Sequence, residues 1–429
     1  MSAISQSHGP ELLAPAGTLR NMRFAFAYGA DAVYAGLPRY SLRVRNNDFD
    51  RENLALGIAE AHAEDRRFYL ACNLMPHRAK LKTFLADMEP VVAMGPDALI
   101  MADPGLIMLV RERWPEVPIH LSVQANTVNG AAVRFWQLQG IVRVILSREL
   151  SIDEIADIRD ACPDVELEVF VHGALCIAYS GRCLLSGYFN HRDANQGSCT
   201  NSCRWEYKVG TPDTASAEQV RHPDADAVYL LEEAKRPGEY MPVFEDANGT
   251  YIMNAKDLRA VEHVERLVAM GIDCLKIEGR TKSHYYAART AQVYRRAIDD
   301  ALAGSAFRPE LLVELEGLAN RGYTEGFYRR HAPAELQNYE RGSSDNQRQI
   351  FVGEVTGSDA GWADIEVKNR FAVGDELELL TPGGNRRFRL ERMQDLEGNP
   401  MDLAPGGGYR VRIPVPVGDC SLGLVTRVL

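Results

Sequence analysis

The sequence predicts an α/β protein in which a TIM-like (β/α)8 barrel with a hairpin insertion is followed by a small all-β barrel domain. First, short apolar runs alternate with amphipathic helical segments through roughly residue 280. Second, these runs are continuously apolar, which is typical of parallel strands buried on both faces. Third, from residue 350 the pattern changes to short alternating strands with Gly and Pro turns. A doubly wound open sheet is the alternative, but no Gly-x-Gly-x-x-Gly loop follows the first run.

Eight apolar runs predict the eight strands of the barrel. The stretches between them, such as TLRNMRFAFAYGA after the first run, place apolar residues at helical spacing. In chain order the runs are ELLAPAG (11–17), DAVYAG (31–36), RFYLACNL (67–74), DALIMAD (97–103), IHLSVQ (119–124), VRVILS (142–147), ELEVFVHG (166–173) and DCLKIEG (273–279).

The alternation fails once, over residues 204–250, where hairpin-like strands predict an insertion before the last barrel unit. We therefore predict a barrel domain over residues 1–335 and a β domain over 350–429, with a polar linker between them. The active residues of a TIM barrel lie at the carboxyl ends of its strands. A cysteine-rich segment, 176–203, begins where the seventh run ends, so we expect it on that rim.

Composition limits the function classes. The chain is 46% hydrophobic and 25% charged with a net charge of −11, which is typical of a folded protein and argues against non-specific coating of nucleic acid. The start, MSAISQSHGPELLAPAG, has no basic region followed by an apolar run, and no apolar stretch approaches the ~18 residues of a membrane span. We therefore expect a cytoplasmic protein without a membrane partner. Persistent disulfides are rare in the cytoplasm.

Four of the eight cysteines lie in the segment 176–203, with the spacing C-x6-C-x15-C-x3-C. Its polar context favours ligands over core residues, whereas the other four, in mostly apolar contexts, are predicted to be structural. Four thiolates suit either zinc or an iron–sulfur cluster. Structural zinc usually uses two close pairs, so the wide first spacing favours a [4Fe–4S] cluster, with zinc left open. The predicted ligands are Cys176, Cys183, Cys199 and Cys203.

The stretch ELEVFVHGALCIAYSGRCLLS (166–186) resembles the signature of the collagenase-like peptidase family U32. ELLAPAG and GADAVYAGLPRYSLR near the start, and YIMNAKDL and LKIEGRTKS later, are similar to that family as well. The signature positions present are Glu168, Phe170, Gly173, Ala174, Leu175, Cys176, Gly181, Cys183, Leu185 and Ser186.

The length and the extra β domain resemble the branch of this family that acts on tRNA. The resemblance implies O2-independent hydroxylation of the wobble uridine to 5-hydroxyuridine, a [4Fe–4S] cluster held by the four cysteines, and prephenate as hydroxyl donor. Two alternatives stay open: a peptidase, as the family name says, and a non-catalytic RNA-binding scaffold with a structural cluster. The sequence contains neither His-Glu-x-x-His nor Gly-x-Ser-x-Gly, which two large peptidase and hydrolase classes need.

Polar residues at predicted strand ends supply the remaining site. Arginine binds carboxylates bidentately, so an anionic donor such as prephenate is expected to find arginines there. The alternatives to a functional role are that the histidine only packs, that the charged residues only form ion pairs, and that the asparagine and lysine near 254–256 belong to a helix cap. The predicted catalytic residues are His172, Lys276 and Glu278, and the predicted substrate-binding residues are Arg43, Arg45, Asn254, Lys256 and Arg280.

The predicted macromolecular partner is tRNA. The stretch NRGYTEGFYRRH (320–331) interleaves aromatic and arginine residues, a pattern that holds unpaired bases, although a solvated turn would read the same way. We predict Arg329 and Arg330 as substrate-binding residues. The β domain adds basic strands at NRRFRLER (385–392) and YRVRIP (409–414).

Overall fold

In the computed structural model, residues 9–37, 39–42, 48–176, 178–183, 186, 194–196, 199, 203, 229–232, 240–246, 249–251, 255–329, 348–359 and 361–429 are described.

Eight parallel strands close a barrel. Neighbouring strands pair in chain order, and the last one pairs with both the seventh and the first. The prediction of a TIM-like barrel is therefore confirmed. The strands are β1 (Glu11–Pro15), β2 (Ala32–Gly36), β3 (Arg67–Cys72), β4 (Ala98–Met101), β5 (Ile119–Leu121), β6 (Arg143–Ile145), β7 (Glu166–Ala174) and β12 (Cys274–Ile277).

Helices surround the barrel and begin shortly after the strands. Several start at a side chain that accepts a hydrogen bond from the first turn, as at Thr18, Asp50, Asp103, Asn129, Ser151 and Ser283. None of the described helices is both long and apolar enough to cross a membrane. The helices are α1 (Leu19–Ala27), α2 (Arg51–Ala63), α3 (Arg78–Val92), α4 (Pro104–Arg113), α5 (Gly130–Leu138), α6 (Ile152–Ala161), α7 (Val264–Ala269), α8 (His284–Leu302) and α9 (Glu310–Glu316).

Between β7 and β12 the chain carries additional strands. β8 (Tyr229–Glu232), β9 (Tyr240–Asp246) and β10 (Gly249–Tyr251) pair as an antiparallel meander, which agrees with the predicted hairpin insertion. β11 (Asp257–Arg259) then pairs antiparallel with the end of β7, and β13 (Tyr323–Thr324) pairs with β11.

The C-terminal region is all β, as predicted. Its main sheet has the order β18-β17-β23-β14-β15-β22-β19-β20, so β18 and β20 are the ends of that order. Most of its buried apolar residues form a core of their own, whereas Leu380 and Leu424 pack with the core of the barrel. The strands are β14 (Gln349–Asp359), β15 (Trp362–Val367), β16 (Phe371–Ala372), β17 (Glu376–Thr381), β18 (Gly384–Arg389), β19 (Met393–Gln394), β20 (Pro400–Met401), β21 (Leu403–Ala404), β22 (Arg410–Pro414) and β23 (Leu424–Val428).

A buried arginine joins the two domains. Arg289 of α8 is fully buried and lies 2.5 Å from Glu378 of β17 and 3.0 Å from Glu314 of α9. One helical turn further along, the Gln292 side chain donates to the Thr381 carbonyl at 2.9 Å. The Tyr28 hydroxyl of α1 donates to the Leu380 carbonyl at 3.0 Å. The β domain is thus docked against α1 and α8 through a buried ion pair and buried hydrogen bonds.

We predict that Glu378→Ala destabilises the protein by roughly 2–4 kcal/mol, because it leaves the buried Arg289 guanidinium short of one carboxylate. Glu376→Ala is the matched control, since this exposed glutamate lies two residues earlier on the same strand. Urea unfolding measures both, and equal losses in the two variants would contradict the assignment.

Candidate functional site

The interior of the barrel holds a buried ionic group. Glu168 of β7 is fully buried, and its carboxylate lies 2.6 Å from Lys276 Nζ and 3.5 Å from Arg143 Nη1. Arg143 also lies 2.6 Å from Glu11. Burial alone would raise the pKa of Glu11, but the charge and hydrogen bond of Arg143 more than offset it, so that pKa is lowered. The group ties β1, β6, β7 and β12 together.

Lys276, a predicted catalytic residue, belongs to this interior group. Its side chain is 3% exposed, and Nζ lies 4.4 Å from the centre of the Tyr34 ring besides its contact with Glu168. Tyr34 in turn donates its hydroxyl to the Ile277 carbonyl at 3.1 Å. The structure therefore gives Lys276 a position inside the barrel, below the residues that follow it on the rim.

At the carboxyl ends of the strands, Glu278 meets an arginine that the sequence analysis did not single out. Arg148, just past β6, lies 3.3 Å from the Glu278 carboxylate and 3.8 Å above the centre of the Phe170 ring. Both charged side chains are 9% exposed. The only sequence signal was its place, immediately after the apolar run VRVILS (142–147). The mouth of the barrel thus holds a partly buried Arg–Glu pair.

Arg280 lies against the opposite part of the mouth. Its guanidinium donates to the Leu42 carbonyl and lies 5.8 Å from the centre of the Tyr34 ring. A Cβ placed on Gly36, the last residue of β2, would overlap with Arg280 Nη1. Glycine is therefore needed at this position for the guanidinium to pass over the strand end.

Neutral polar side chains line the ends of β3, β5 and β6. The Asn73 amide donates to the Ser122 hydroxyl at 3.3 Å, and the Asn126 amide donates to the Ser147 hydroxyl at 2.8 Å. Asn73 Oδ1 also accepts from the Leu42 amide at 3.1 Å, which holds the loop under Arg280. Together with the two arginines, these groups make a mouth suited to a polar, anionic small molecule.

Two described parts of the cysteine-rich segment contact the loops that surround this mouth. The segment leaves the end of β7, and Gly181 packs so closely on the Gln124 carbonyl after β5 that a Cβ there would overlap with it. Further along, the Asn195 carbonyl accepts from the Met75 amide after β3 at 3.2 Å. The prediction that the segment lies on the rim agrees with these contacts.

The four clustered cysteines differ in exposure from the other four. Cys176 and Cys199 are exposed and Cys183 and Cys203 are half-buried, whereas Cys72, Cys162, Cys274 and Cys420 are buried; none forms a disulfide. Four thiols outside the core on one rim segment are a donor set that suits a [4Fe–4S] cluster. No three His, Cys, Asp or Glu side chains converge on a metal position within the described part of the chain, so the ligand set stays a prediction.

His172 points away from the mouth. Strict alternation along β7 would give it the same inward direction as Phe170, but the register with β12 shifts so that His172, not Val171, pairs with Ile277. The imidazole is 1% exposed and packs among the rings of Tyr286, Tyr294 and Tyr323 at 5.4–5.8 Å. Burial lowers the pKa of His172 to about 3. At neutral pH it is a neutral packing residue, and its catalytic role stays an untested prediction.

Of the remaining predicted substrate-binding residues, the structure describes only Lys256 and Arg329. Lys256 is half-buried beside Gly322, and Arg329 is exposed but lies 2.6 Å from Glu325. Arg43, Arg45, Asn254 and Arg330 lie outside the described residues.

A (β/α)8 barrel with a charged mouth under a cysteine-rich segment, docked to a β domain, is the class of protein that fold and site define. The chain belongs to peptidase family U32. The model of peptidase family U32 matches residues 17–338, and the model of the peptidase family U32 C-terminal domain matches 347–427.

Several known proteins are similar to this chain. It is 63% identical over 425 residues to tRNA hydroxylation protein P of Escherichia coli strain K12, covering 95% of this chain and 94% of that protein. It is 59% identical to tRNA hydroxylation protein P of Haemophilus influenzae, covering 95% of this chain and 93% of that protein. The solved U32 peptidase Mk0906 matches with 10% identity and a TM-score of 0.39, covering 65% of this chain and 97% of that one.

We predict that His172 makes stability fall with acid. The unfolded histidine takes up a proton near pH 6.5 and the folded one only near pH 3. Its contribution is therefore complete above pH 6.5 and is lost as the pH falls, by roughly 2 kcal/mol between pH 7 and 5. In urea unfolding, His172→Gln should lose less stability over this range than the wild type. The exposed His77→Gln should behave like the wild type; equal losses in all three would contradict the argument.

Proposed function

We propose that this protein hydroxylates the wobble uridine of tRNA to 5-hydroxyuridine without O2, using prephenate as hydroxyl donor and a [4Fe–4S] cluster. The observation that carries the proposal is the similarity, over almost the whole chain, to proteins named tRNA hydroxylation protein P. The polar, arginine-bearing mouth under a cysteine segment agrees with such a reaction. Cytoplasm, where tRNA is modified, is the proposed location.

The reaction balances without O2. The uridine C5–H bond is replaced by C5–OH, a two-electron oxidation of the base. A donor that gives up its hydroxyl must have its C–OH bond replaced by C–H and so takes up the same two electrons. The site must therefore hold donor and base together and exclude water from the exchange.

Two arginines are proposed to hold the donor. Prephenate carries two carboxylates, and Arg148 and Arg280 bring two guanidinium groups to the same mouth. Phe170 supports the first from below, and Gly36 leaves room for the second. The Glu278 carboxylate, held by Arg148, is the proposed group that takes the proton from uridine C5 and returns it to the donor carbon.

Cys176, Cys183, Cys199 and Cys203 would hold the cluster, which when bound would supply one-electron chemistry beside the mouth. Their segment is anchored over the ends of β3 and β5, so the ligands would stand above the donor site. The tRNA would reach the mouth from the outside, and Arg329 and Arg330 remain predicted contacts for it.

We predict that tRNA from a deletion strain lacks 5-hydroxyuridine and that the wild-type gene restores it, as measured by nucleoside mass spectrometry. Cys176→Ser, Cys183→Ser, Cys199→Ser and Cys203→Ser should fail to restore it and should lose most iron and labile sulfide in anaerobic purification. The buried Cys162→Ser and Cys420→Ser are controls that should retain both.

Three results would count against this proposal. If the purified protein contained stoichiometric zinc and no labile sulfide, the cysteines would hold zinc and not an iron–sulfur cluster. Unchanged nucleosides in the deletion strain would leave the RNA-binding scaffold as the better function. Cleavage of peptides that survives loss of the cluster would favour the peptidase.

We predict that Arg280→Ala retains iron and tRNA binding but loses hydroxylation at low prephenate. The loss of one bidentate carboxylate contact should cost roughly 1.5–3 kcal/mol, or about ten- to a hundredfold in donor affinity. Excess prephenate should restore part of the rate, since the lost interaction is binding.

Gly36→Ala should reproduce this defect, because its new methyl group displaces the Arg280 guanidinium. Gly418→Ala is the matched control, since nothing lies within 4 Å of a Cβ there. Normal prephenate dependence in both Arg280→Ala and Gly36→Ala would show that Arg280 does not hold the donor.

A further inference from the structure

The β domain presents arginines that the rest of the described protein leaves without a carboxylate partner. Arg386, Arg387 and Arg389 of β18 are exposed, and none of them forms an ion pair or a side-chain hydrogen bond with another described residue. The stretch 385–392 contains four arginines and one glutamate, in a chain whose net charge is −11.

Most arginines of the other basic stretches are paired in the structure, although Arg410 of β22 is exposed. Arg321 is buried in an ion pair with Asp257, Arg329 pairs with Glu325 at 2.6 Å, and Arg412 of β22 pairs with Asp364 at 2.7 Å. Tyr328 is buried, and its hydroxyl donates to the Phe170 carbonyl at 2.6 Å. Arg321 and Tyr328 thus serve packing, and Arg329 is exposed but shares its charge with Glu325, which leaves β18 as the stronger basic surface.

Strand register assigns the arginines to different faces. Arg387 pairs with Glu378 across the β17–β18 hairpin, and Glu378 points to Arg289 of the barrel domain. Opposite residues on paired strands share a face, so Arg387, and with it Arg389, lies on the face turned toward the barrel. Arg386 pairs with Leu379, which points into the core of the β domain.

The same register orders the arginines relative to the barrel mouth. Glu378 contacts Arg289, and Thr381 contacts Gln292, so β17 runs toward the C-terminal end of α8. α8 begins after the carboxyl end of β12, which is the rim of the mouth. β18 is antiparallel to β17 and runs back toward that rim, with Arg389 at its rim end.

We propose that Arg387 and Arg389 form a docking surface for the tRNA backbone beside the barrel mouth; this rests on the proposed function. Charge complementarity carries the choice of occupant, because arginines without acidic partners on an acidic protein suit phosphates, the sequence-independent part of RNA. β18 is also an end strand of its sheet, and charged residues on such strands can serve only to prevent aggregation. That role would treat all three arginines alike, whereas tRNA docking separates the two faces.

The test uses the full-length, cluster-loaded protein and a transcribed tRNA with an unmodified wobble uridine, with binding measured by fluorescence anisotropy between 50 and 300 mM salt. Arg387→Ala with Arg389→Ala should weaken binding roughly ten- to a hundredfold near physiological salt, and the slope of log Kd against log salt should fall by about 2. Iron content and thermal stability should stay at wild-type values.

Two controls have matched charge. Arg386→Ala, compared with Arg387→Ala alone, removes the same charge from the same strand but from the other face, and it should change affinity less than threefold. Arg134→Ala with Arg370→Ala removes two exposed arginines elsewhere and should leave the slope unchanged. Equal effects of Arg386→Ala and Arg387→Ala, or unchanged affinity in the Arg387/Arg389 double variant, would overturn the proposed surface.

Nucleoside analysis separates this failure from failure of the function. If wild-type protein restores 5-hydroxyuridine and the double variant binds tRNA normally, the surface is wrong and the proposed function stands. If wild-type protein binds tRNA through Arg387 and Arg389 but forms no 5-hydroxyuridine, the surface stands and the hydroxylase proposal fails.

Discussion

The buried carboxylate of Glu168 is the constraint on which the barrel depends. A carboxylate with no solvent exposure needs cationic partners, and it finds them on both neighbouring strands, Arg143 of β6 and Lys276 of β12. β12 follows β7 only after the cysteine segment, the insertion and α7. The ion pair from Glu168 to Lys276 therefore links the last strand to the seventh across a long connection, and it fixes the register with which the barrel closes.

That register also determines the mouth. With Lys276 held inside, the residues after it, Glu278 and Arg280, emerge on the rim. The shift of register at Lys276 adds one residue to β7, so that His172 turns outward to α8. Gly173 follows with a φ of +108°, and a Cβ there would overlap with the Glu278 carbonyl. The signature glycine is thus explained by close packing of two strand ends, before any chemistry is considered.

The sequence predicted the barrel, the order of its strands and the all-β end because continuous and alternating apolar runs report burial directly. It could not predict how deep a charged residue lies along a strand. Lys276 and Glu278 are equivalent in the sequence, yet one is in an interior ion pair and the other on the rim. The sequence could not show that His172 turns away from the mouth, because one extra residue in β7 reverses the direction of its side chain. It did not single out Arg148 because the contact with Glu278 joins residues 130 positions apart.

The contact between the two domains determines where the exposed arginines of β18 lie relative to the barrel mouth. Arg289 holds β17 against α8, and the same contact sets the height of β18, so that Arg389 lies toward the end of the barrel that carries Arg148 and Arg280. The tRNA and a small dianionic donor would then be attracted to the same end of a protein whose net charge is −11. The buried pair of Arg289 and Glu378 is therefore more than a domain contact, because it determines where the exposed arginines stand relative to the site they would serve.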